Sequence, residues 1–206
     1  SPVPLDPYRA VWNTVIRLGI FLLIAHLISW QQSLAESLER EKLRASTDAL
    51  TGALNQREFG RWISLEQKRS KRYQRPFSIA FFDLDNFKQV NDRFGHATGD
   101  RLLQLFVDTV RRSLRSVDQI GRLGGDEFAI LLPETGGETA REVIGRIRAK
   151  CLEVLRQEGF PITASIGLAT YAPSHALNGT QLHHADELMY EAKRQGKDQI
   201  QHRTFD

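Results

Sequence analysis

Cysteine is almost missing from this 206-residue chain. Cys151 stands alone, so no internal disulfide can form, and its position on an apolar helix face makes it a small core residue in a reducing compartment. A surplus of charge is missing too. Lys plus Arg number 28 against 25 Asp plus Glu, and the net charge of +3 is too small to argue for nucleic acid as a partner. The one local exception is Lys68-Arg69-Ser70-Lys71-Arg72 with Arg75. It reads as a solvated helix end before a strand, with a membrane-surface or phosphate contact as the alternative. No basic start precedes the first apolar run and no small-residue cleavage site follows it, which argues against a secretory leader. The histidines His96, His183 and His184 lack a metal-ligand partner set and read as turn-packing or surface residues. From Gln31 to Ser46 there is neither proline nor glycine, so nothing there stops a helix.

What is present begins with one long apolar run. Val11 to Trp30 reads VWNTVIRLGIFLLIAHLISW, about the ~20 residues a membrane-spanning helix needs. Trp12 and Trp30 stand at its ends, where interfacial aromatics collect. Arg17 and His26 lie inside it; Arg17 is near enough to the end to snorkel. The run is expected to be the end of a transmembrane segment, with an apolar helix packed on a partner as the alternative. The chain opens abruptly on Ser1-Pro2-Val3-Pro4, and an upstream sensor region is expected before it. After the span, Leu27, Leu34, Leu38 and Ala45 share a 3.5-residue stripe interrupted by Glu41, a short and imperfect two-helix seam. The expected organisation is residues 1–30 as flank and span, 31–46 as a coiled-coil-like linker, and 47–206 as a separate domain.

That domain reads as helix, strand, helix, strand, strand, helix, strand, helix, strand. Thr47 or Asp48 is expected to cap a helix running to about Tyr73, and Phe77 to Phe82 is a strand of bulky residues. Leu102, Leu103, Phe106, Val110 and Leu114 recur at helical spacing, as do Ala140, Val143, Ile144, Ile147, Cys151 and Val154. Glu127 to Leu132 and Ile162 to Ala169 are short β-rich runs. The fold class is α+β, helices over a mainly antiparallel sheet.

Two segments carry the chemistry. Phe77-Ser78-Ile79-Ala80-Phe81-Phe82 empties into Asp83-Leu84-Asp85, and Arg122-Leu123-Gly124-Gly125 leads through Asp126-Glu127 into Phe128-Ala129-Ile130-Leu131-Leu132. Together they would bring three or four carboxylates to one sheet edge, the arrangement a hard divalent cation wants: Mg²⁺ takes a few carboxylate oxygens and leaves its other positions to water and substrate phosphates. Two consecutive glycines permit a positive-φ turn and a close approach by a polyphosphate.

Gly124 to Phe128 spells the signature of the GGDEF family, and its companions follow in order. Asp48-Ala-Leu-Thr51-Gly52 with Asn55 resembles the family's opening motif. Asp83-Leu-Asp85 with Phe87-Lys88, Asn91-Asp92, Phe94-Gly95-His96 and Gly99-Asp100 comes next, then Ala164-Ser165-Ile166-Gly167. Ala185-Asp186, Met189-Tyr190, Ala192-Lys193 and Gly196-Lys197 close the set. The resemblance runs from Ser46 to Gln201. It implies a palm-like, ferredoxin-related cyclase fold preceded by a long N-terminal helix, and a diguanylate cyclase that joins two GTP into cyclic di-GMP.

The same resemblance distributes roles. Asp83 and Asp126 are similar to the family's metal carboxylates, the Leu84 carbonyl adds an oxygen, and Glu127 resembles a second acid that ligates metal or helps deprotonate the hydroxyl. Gly124 and Gly125 belong to the catalytic hairpin. Mg²⁺ is the implied cofactor, with Mn²⁺ as a substitute. Lys193 and Lys197 match positions that reach the β and γ phosphates; on sequence alone they are an exposed pair. Asn91 and Asp100 match guanine readers, since a carboxylate accepts from guanine N1 and N2 while an amide serves a ring nitrogen or O6. Arg115-Ser116-Val117-Asp118 resembles the Arg-x-x-Asp site where product binds and inhibits, and Arg146 falls where some relatives supply a further arginine. A plain Arg115–Asp118 salt bridge is the competing reading. Two departures are visible: Gln56 replaces the usual arginine after Asn55, and Asp126 is the shorter of the two acids found at its position.

Because the product is two-fold symmetric and each domain carries one GTP site, turnover would require a homodimer, set by the N-terminal helix. The implied location is the bacterial inner membrane with the catalytic domain in the cytoplasm. Two other classes stay open: a catalytically silent module that binds GTP or cyclic di-GMP as a sensor, and a membrane-proximal oligomerisation scaffold.

Overall fold

In the computed structural model, residues 7–44, 46–174 and 179–206 are described. The chain divides into two compact units, Ser1–Ala45 and Ser46–Asp206. The first contains one helix, α1 (Pro7–Arg44), with no break where the apolar run gives way to charged sequence. Val11–Ser33 is long and apolar enough to cross a membrane, and its large apolar side chains, including Trp12 and Trp30, are exposed. The seam positions Leu34, Leu38, Glu41 and Ala45, like the opening Ser1 to Pro4, lie outside the residues whose side chains are described.

The second unit is a six-stranded mixed sheet between two helical layers. Its elements run β1 (Leu54–Asn55), α2 (Gln56–Tyr73), β2 (Phe77–Asp85), α3 (Phe87–Phe94), α4 (His96–Arg111), β3 (Gln119–Gly124), β4 (Glu127–Leu132), α5 (Gly137–Gln157), β5 (Thr163–Tyr171), α6 (Gln181–Arg194) and β6 (Ile200–Phe205). The strand order is β1-β3-β4-β2-β5-β6. The three inner pairings, β3/β4, β4/β2 and β2/β5, are antiparallel, while β1 and β6 join the edges in parallel. The α+β class and the antiparallel centre are therefore as the sequence implies.

The central strand β2 is buried along its whole length, and its period of two sorts side chains onto two cores. Ala80, Phe82 and Leu84 join Leu102, Phe106, Ile144 and Cys151 under α4 and α5. Phe77, Ile79 and Phe81 join Phe59, Ile63, Leu188 and Met189 under α2 and α6. Asp83 and Asp85 continue this second row after its apolar residues have ended, so the alternation that builds the core also aims both acids at the α6 side. Cys151 is buried as expected, and burial pushes its thiol up to about 12.

Three local expectations are corrected. Helix α2 starts at Gln56, not after Thr47 or Asp48: the Asn55 side chain accepts from Glu58 N at 2.9 Å and caps it. Asp48 instead accepts from Thr51 N and Oγ1 at 2.9 and 2.6 Å, closing a turn that Gly52 completes at φ +67°, a conformation glycine adopts without penalty. The helix marked by the spacing of Leu102 to Leu114 runs from His96 to Arg111, and a separate short helix, α3, precedes it. The two break at Gly95, φ +83°.

Candidate active site

The acids meet because of strand register. Asp83 on β2 lies opposite Glu127 on β4, and Leu84 N donates to the Asp126 carbonyl at 3.3 Å. The strand end and the glycine hairpin are thus one unit. Asp83 is almost fully buried, a costly place for a carboxylate without a partner. Lys193, near the end of α6, supplies it, with Nζ 2.6 Å from Asp83 Oδ2. Asp85 is spent differently: it accepts from Thr163 Oγ1 at 2.8 Å, Ser165 Oγ at 2.9 Å and Asp198 N at 3.3 Å. Of the two acids in Asp-x-Asp, Asp85 is saturated by protein donors, which leaves Asp83 the one open to a cation.

Asp126 and Glu127 stand beside this charge. Burial, then the neighbouring Asp83, holds the Asp126 carboxyl above its usual range. Burial, then Asp83, Asp186 and Asp126, does the same for Glu127. Crowded carboxylates that resist ionisation are relieved by a divalent cation. Among the described residues no three His, Cys, Asp or Glu side chains converge closely enough to form a metal cage. Two carboxylates with a nearby carbonyl, all hard oxygens, still fit a cation that completes its shell with water and phosphate.

A cavity of about 470 Å³ opens at this point, lined by Asp83, Leu84, Asn86, Asp126, Lys193 and Lys197 among others. The N-terminus of α3 also faces it, through Asn86, Phe87 and Lys88. A helix start is a ready anion site because its first N–H groups lack partners within the helix. This feature escaped sequence reasoning, which did not separate α3. Glu127 lines a second cavity, of about 430 Å³, with Gln56, His183 and Asp186.

The two glycines of the hairpin differ. Gly125 has φ +46°, so the turn itself favours it. Gly124 has no such φ, and a Cβ there would meet nothing within 4 Å. Neither backbone nor packing asks for glycine at 124, which is compatible with the close approach of a polyphosphate expected from the sequence. Arg122 fixes the turn from below: Nε and Nη2 donate to the Gly125 carbonyl at 3.0 and 2.8 Å, and Nη1 to Asp48 at 3.0 Å. Sequence reasoning assigned Arg122 no role, since its partner lies 74 positions away.

The remaining predicted residues lie further out. Asn91 is half-buried on α3 and Asp100 is exposed on α4. Gly99 matters to the first, because a Cβ at 99 would fall 2.0 Å from Asn91 Oδ1. Arg115 and Asp118 flank the turn after α4. In place of the competing salt bridge there is a backbone contact, in which Arg115 N donates to Asp118 Oδ2 at 2.8 Å. Asp118 Oδ1 is buried without a hydrogen-bond partner, and burial raises this carboxyl. Arg146 is exposed on α5. Of the histidines, His183 pairs with Glu187 on the surface, and His184 stacks on Phe205 and Tyr171.

The model of the diguanylate cyclase GGDEF domain matches residues 45–199. The chain belongs to this family. It is 35% identical over 167 residues to the diguanylate cyclase DgcP of Pseudomonas aeruginosa, covering 80% of this chain and 25% of DgcP. It is 37% identical over 180 residues to TpbB, a diguanylate cyclase of the same species, covering 85% of this chain and 41% of TpbB. The chain therefore spans less than half the length of either relative. Among solved structures, the coiled coil and GGDEF domain of DgcB from Caulobacter crescentus, in complex with c-di-GMP, superposes with a TM-score of 0.69 at 25% identity. That match covers 90% of this chain and 100% of the solved DgcB chain. The diguanylate cyclase SiaD of Pseudomonas aeruginosa, solved with its activator SiaC, gives 0.69 at 30% identity, covering 97% of this chain and 76% of the solved SiaD chain.

Proposed function

We propose that this chain is the output of a diguanylate cyclase that condenses two GTP into cyclic di-GMP and two pyrophosphates. The observation that carries the reading is the meeting of Asp83, Leu84, Asp126, Lys193 and Lys197 around one cavity beside a helix N-terminus. In each half-reaction the 3′ oxygen of one GTP forms a bond to the α-phosphorus of the other and the bond to pyrophosphate breaks. Asp83, Asp126 and the Leu84 carbonyl would hold Mg²⁺, which supplies charge neutralisation at the phosphates and a lower pKa for a bound hydroxyl. Lys193 exchanges Asp83 for the β and γ phosphates, and Lys197 reaches them from the turn after α6. Glu127, whose carboxyl burial and the neighbouring acids hold above its usual range, is a stronger base than a free glutamate and is suited to accept the proton of the hydroxyl. Asn91 and Asp100 read guanine, and adenine is rejected because its N1 acceptor would face the acid lone pair to lone pair.

Two GTP sites facing each other require two domains, so the active species is a homodimer. We assign residues 1–30 to a flank that ends in a membrane span, 31–46 to a helical linker and 47–206 to the catalytic domain, on the cytoplasmic side of a bacterial inner membrane. Arg115, Asp118 and Arg146 form the inhibitory product site, and the buried, unpartnered Asp118 Oδ1 supports this reading. It is an acceptor whose hydrogen-bonding capacity no donor of the described residues uses.

Incubating the protein with GTP and Mg²⁺ and identifying the products by mass tests the reading. Cyclic di-GMP with two equivalents of pyrophosphate is expected; GTP bound without turnover would indicate a silent sensor, and neither binding nor turnover a scaffold. A second expectation concerns Gly99. Gly99→Ala must displace the Asn91 amide, and loss of one guanine hydrogen bond should raise KM for GTP roughly tenfold, with kcat less affected. An unchanged KM would remove Asn91 from guanine recognition.

A further inference from the structure

The turn between α6 and β6 has an unusual backbone. Lys197 and Asp198 lie consecutively in the left-handed region, at φ +64° and +52°, after Gly196 at φ +114°. Side chains with a Cβ disfavour that region, and such strain persists only where the surroundings hold it. Three elements do so here. Lys197 N donates to the Ala192 carbonyl at 3.0 Å, closing the end of α6. Asp198 N donates to Asp85, which Thr163 and Ser165 already fix. Arg148, on α5 and mostly buried, grips Asp198 twice: Nη2 donates to its carbonyl at 2.6 Å and also to its carboxylate.

The geometry points to Arg148 as a positioning residue for triphosphate binding: its grip on Asp198 holds the left-handed turn that presents Lys197 to the cavity. This rests on the diguanylate cyclase reading for the identity of the ligand. Among the described residues the hydrogen bonds of Arg148 both go to Asp198 in this turn, and Asp85, the turn's other anchor, lies two residues from Asp83 on the same strand. The distance between Lys197 and the acids is thus set by a bracket spanning β2, α5 and the turn. Arginine suits the task because the two N–H groups of Nη2 serve the carbonyl and the carboxylate of one residue together, on a planar head that stays charged.

The test measures GTP binding by calorimetry in Mg²⁺ and steady-state kinetics on the full chain, for wild type, Arg148→Met, Lys197→Ala and the double variant. Methionine keeps an apolar stem and removes the fork. Arg148→Met is expected to weaken GTP binding and raise KM roughly tenfold, with kcat changed much less, because the β and γ phosphates lie away from the reacting phosphorus. Adding it to Lys197→Ala should cost nothing further, since its effect runs through that lysine. Arg148→Lys should recover part of the loss. Should Arg148→Met fail to fold, Asp198→Asn, which keeps the backbone contact and weakens the ion pair, should give a smaller rise in KM. Unchanged GTP affinity in a folded Arg148→Met or Asp198→Asn protein, or effects that add fully to those of Lys197→Ala, would overturn the assignment. A wild type that does not bind GTP at all would overturn the functional reading itself.

Discussion

Asp126→Ala is expected to abolish synthesis of cyclic di-GMP and leave the domain as stable as before. A metal carboxylate contributes several kcal/mol of charge stabilisation in the transition state, and at about 1.4 kcal/mol per factor of ten its loss should lower kcat/KM by roughly a thousandfold or more. Stability should not fall with it. Burial and the negative charge of Asp83 already hold the Asp126 carboxyl above its usual range, so in the absence of a cation removing it takes away repulsion. Asp83→Ala should behave differently, because it strips the half-buried Lys193 ammonium of its hydrogen-bonded counter-ion 2.6 Å away. Product assay by mass beside a thermal melt separates the two: both variants inactive, only Asp83→Ala less stable. An active Asp126→Ala protein would exclude Asp126 as a metal ligand.

The second large effect is structural. Gly167 lies on β5 beneath α6, and a Cβ there would sit 2.0 Å from the Ala185 carbonyl oxygen and 2.3 Å from Met189 N. Both are backbone atoms, so no rotamer change can relieve the clash and the helix must move. Overpacking of this kind costs about 3 kcal/mol or more, a large share of the ~5–15 kcal/mol that holds a domain together. Gly167→Ala should lower Tm by roughly 6–12 °C in a protein of this size. The same displacement would carry Lys193 away from Asp83, so activity should fall further than stability alone explains. Gly124→Ala gives the opposite pattern: with open space around it and no positive φ, it should melt like wild type and lose GTP binding. If Gly124→Ala bound GTP normally, the close approach inferred at that hairpin would be wrong.

Much of this site is visible in the sequence because its parts are local. Asp83-Leu84-Asp85 ends a strand whose alternation can be counted, and Gly124-Gly125-Asp126-Glu127 is a hairpin with its acids attached. The helical periods of Leu102 to Val110 and Ala140 to Cys151 identify the layer beneath. What stays hidden depends on partners distant in the chain. Nothing local separates Asp83 from Asp85; the difference is that Thr163 and Ser165 use up one and Lys193 faces the other. Arg122 reads as part of a motif until Asp48 is seen against it, and Arg148 as one arginine among several on an amphipathic helix until Asp198 is found in its grip. Helix α3 and the true start of α2 were missed for a different reason. Single residues decide them, Gly95 by its backbone and Asn55 by its cap.

The central claim is that Asp83 and Asp126 share one cation beside bound GTP. A crystal structure with Mn²⁺ and a non-hydrolysable GTP analogue tests it directly, because the anomalous signal locates the metal independently of the protein. The account predicts a peak within bonding distance of both carboxylates and of a phosphate oxygen, with Lys193 turned from Asp83 to the phosphates. A nucleotide bound with no metal between Asp83 and Asp126, or a metal held elsewhere, would contradict it.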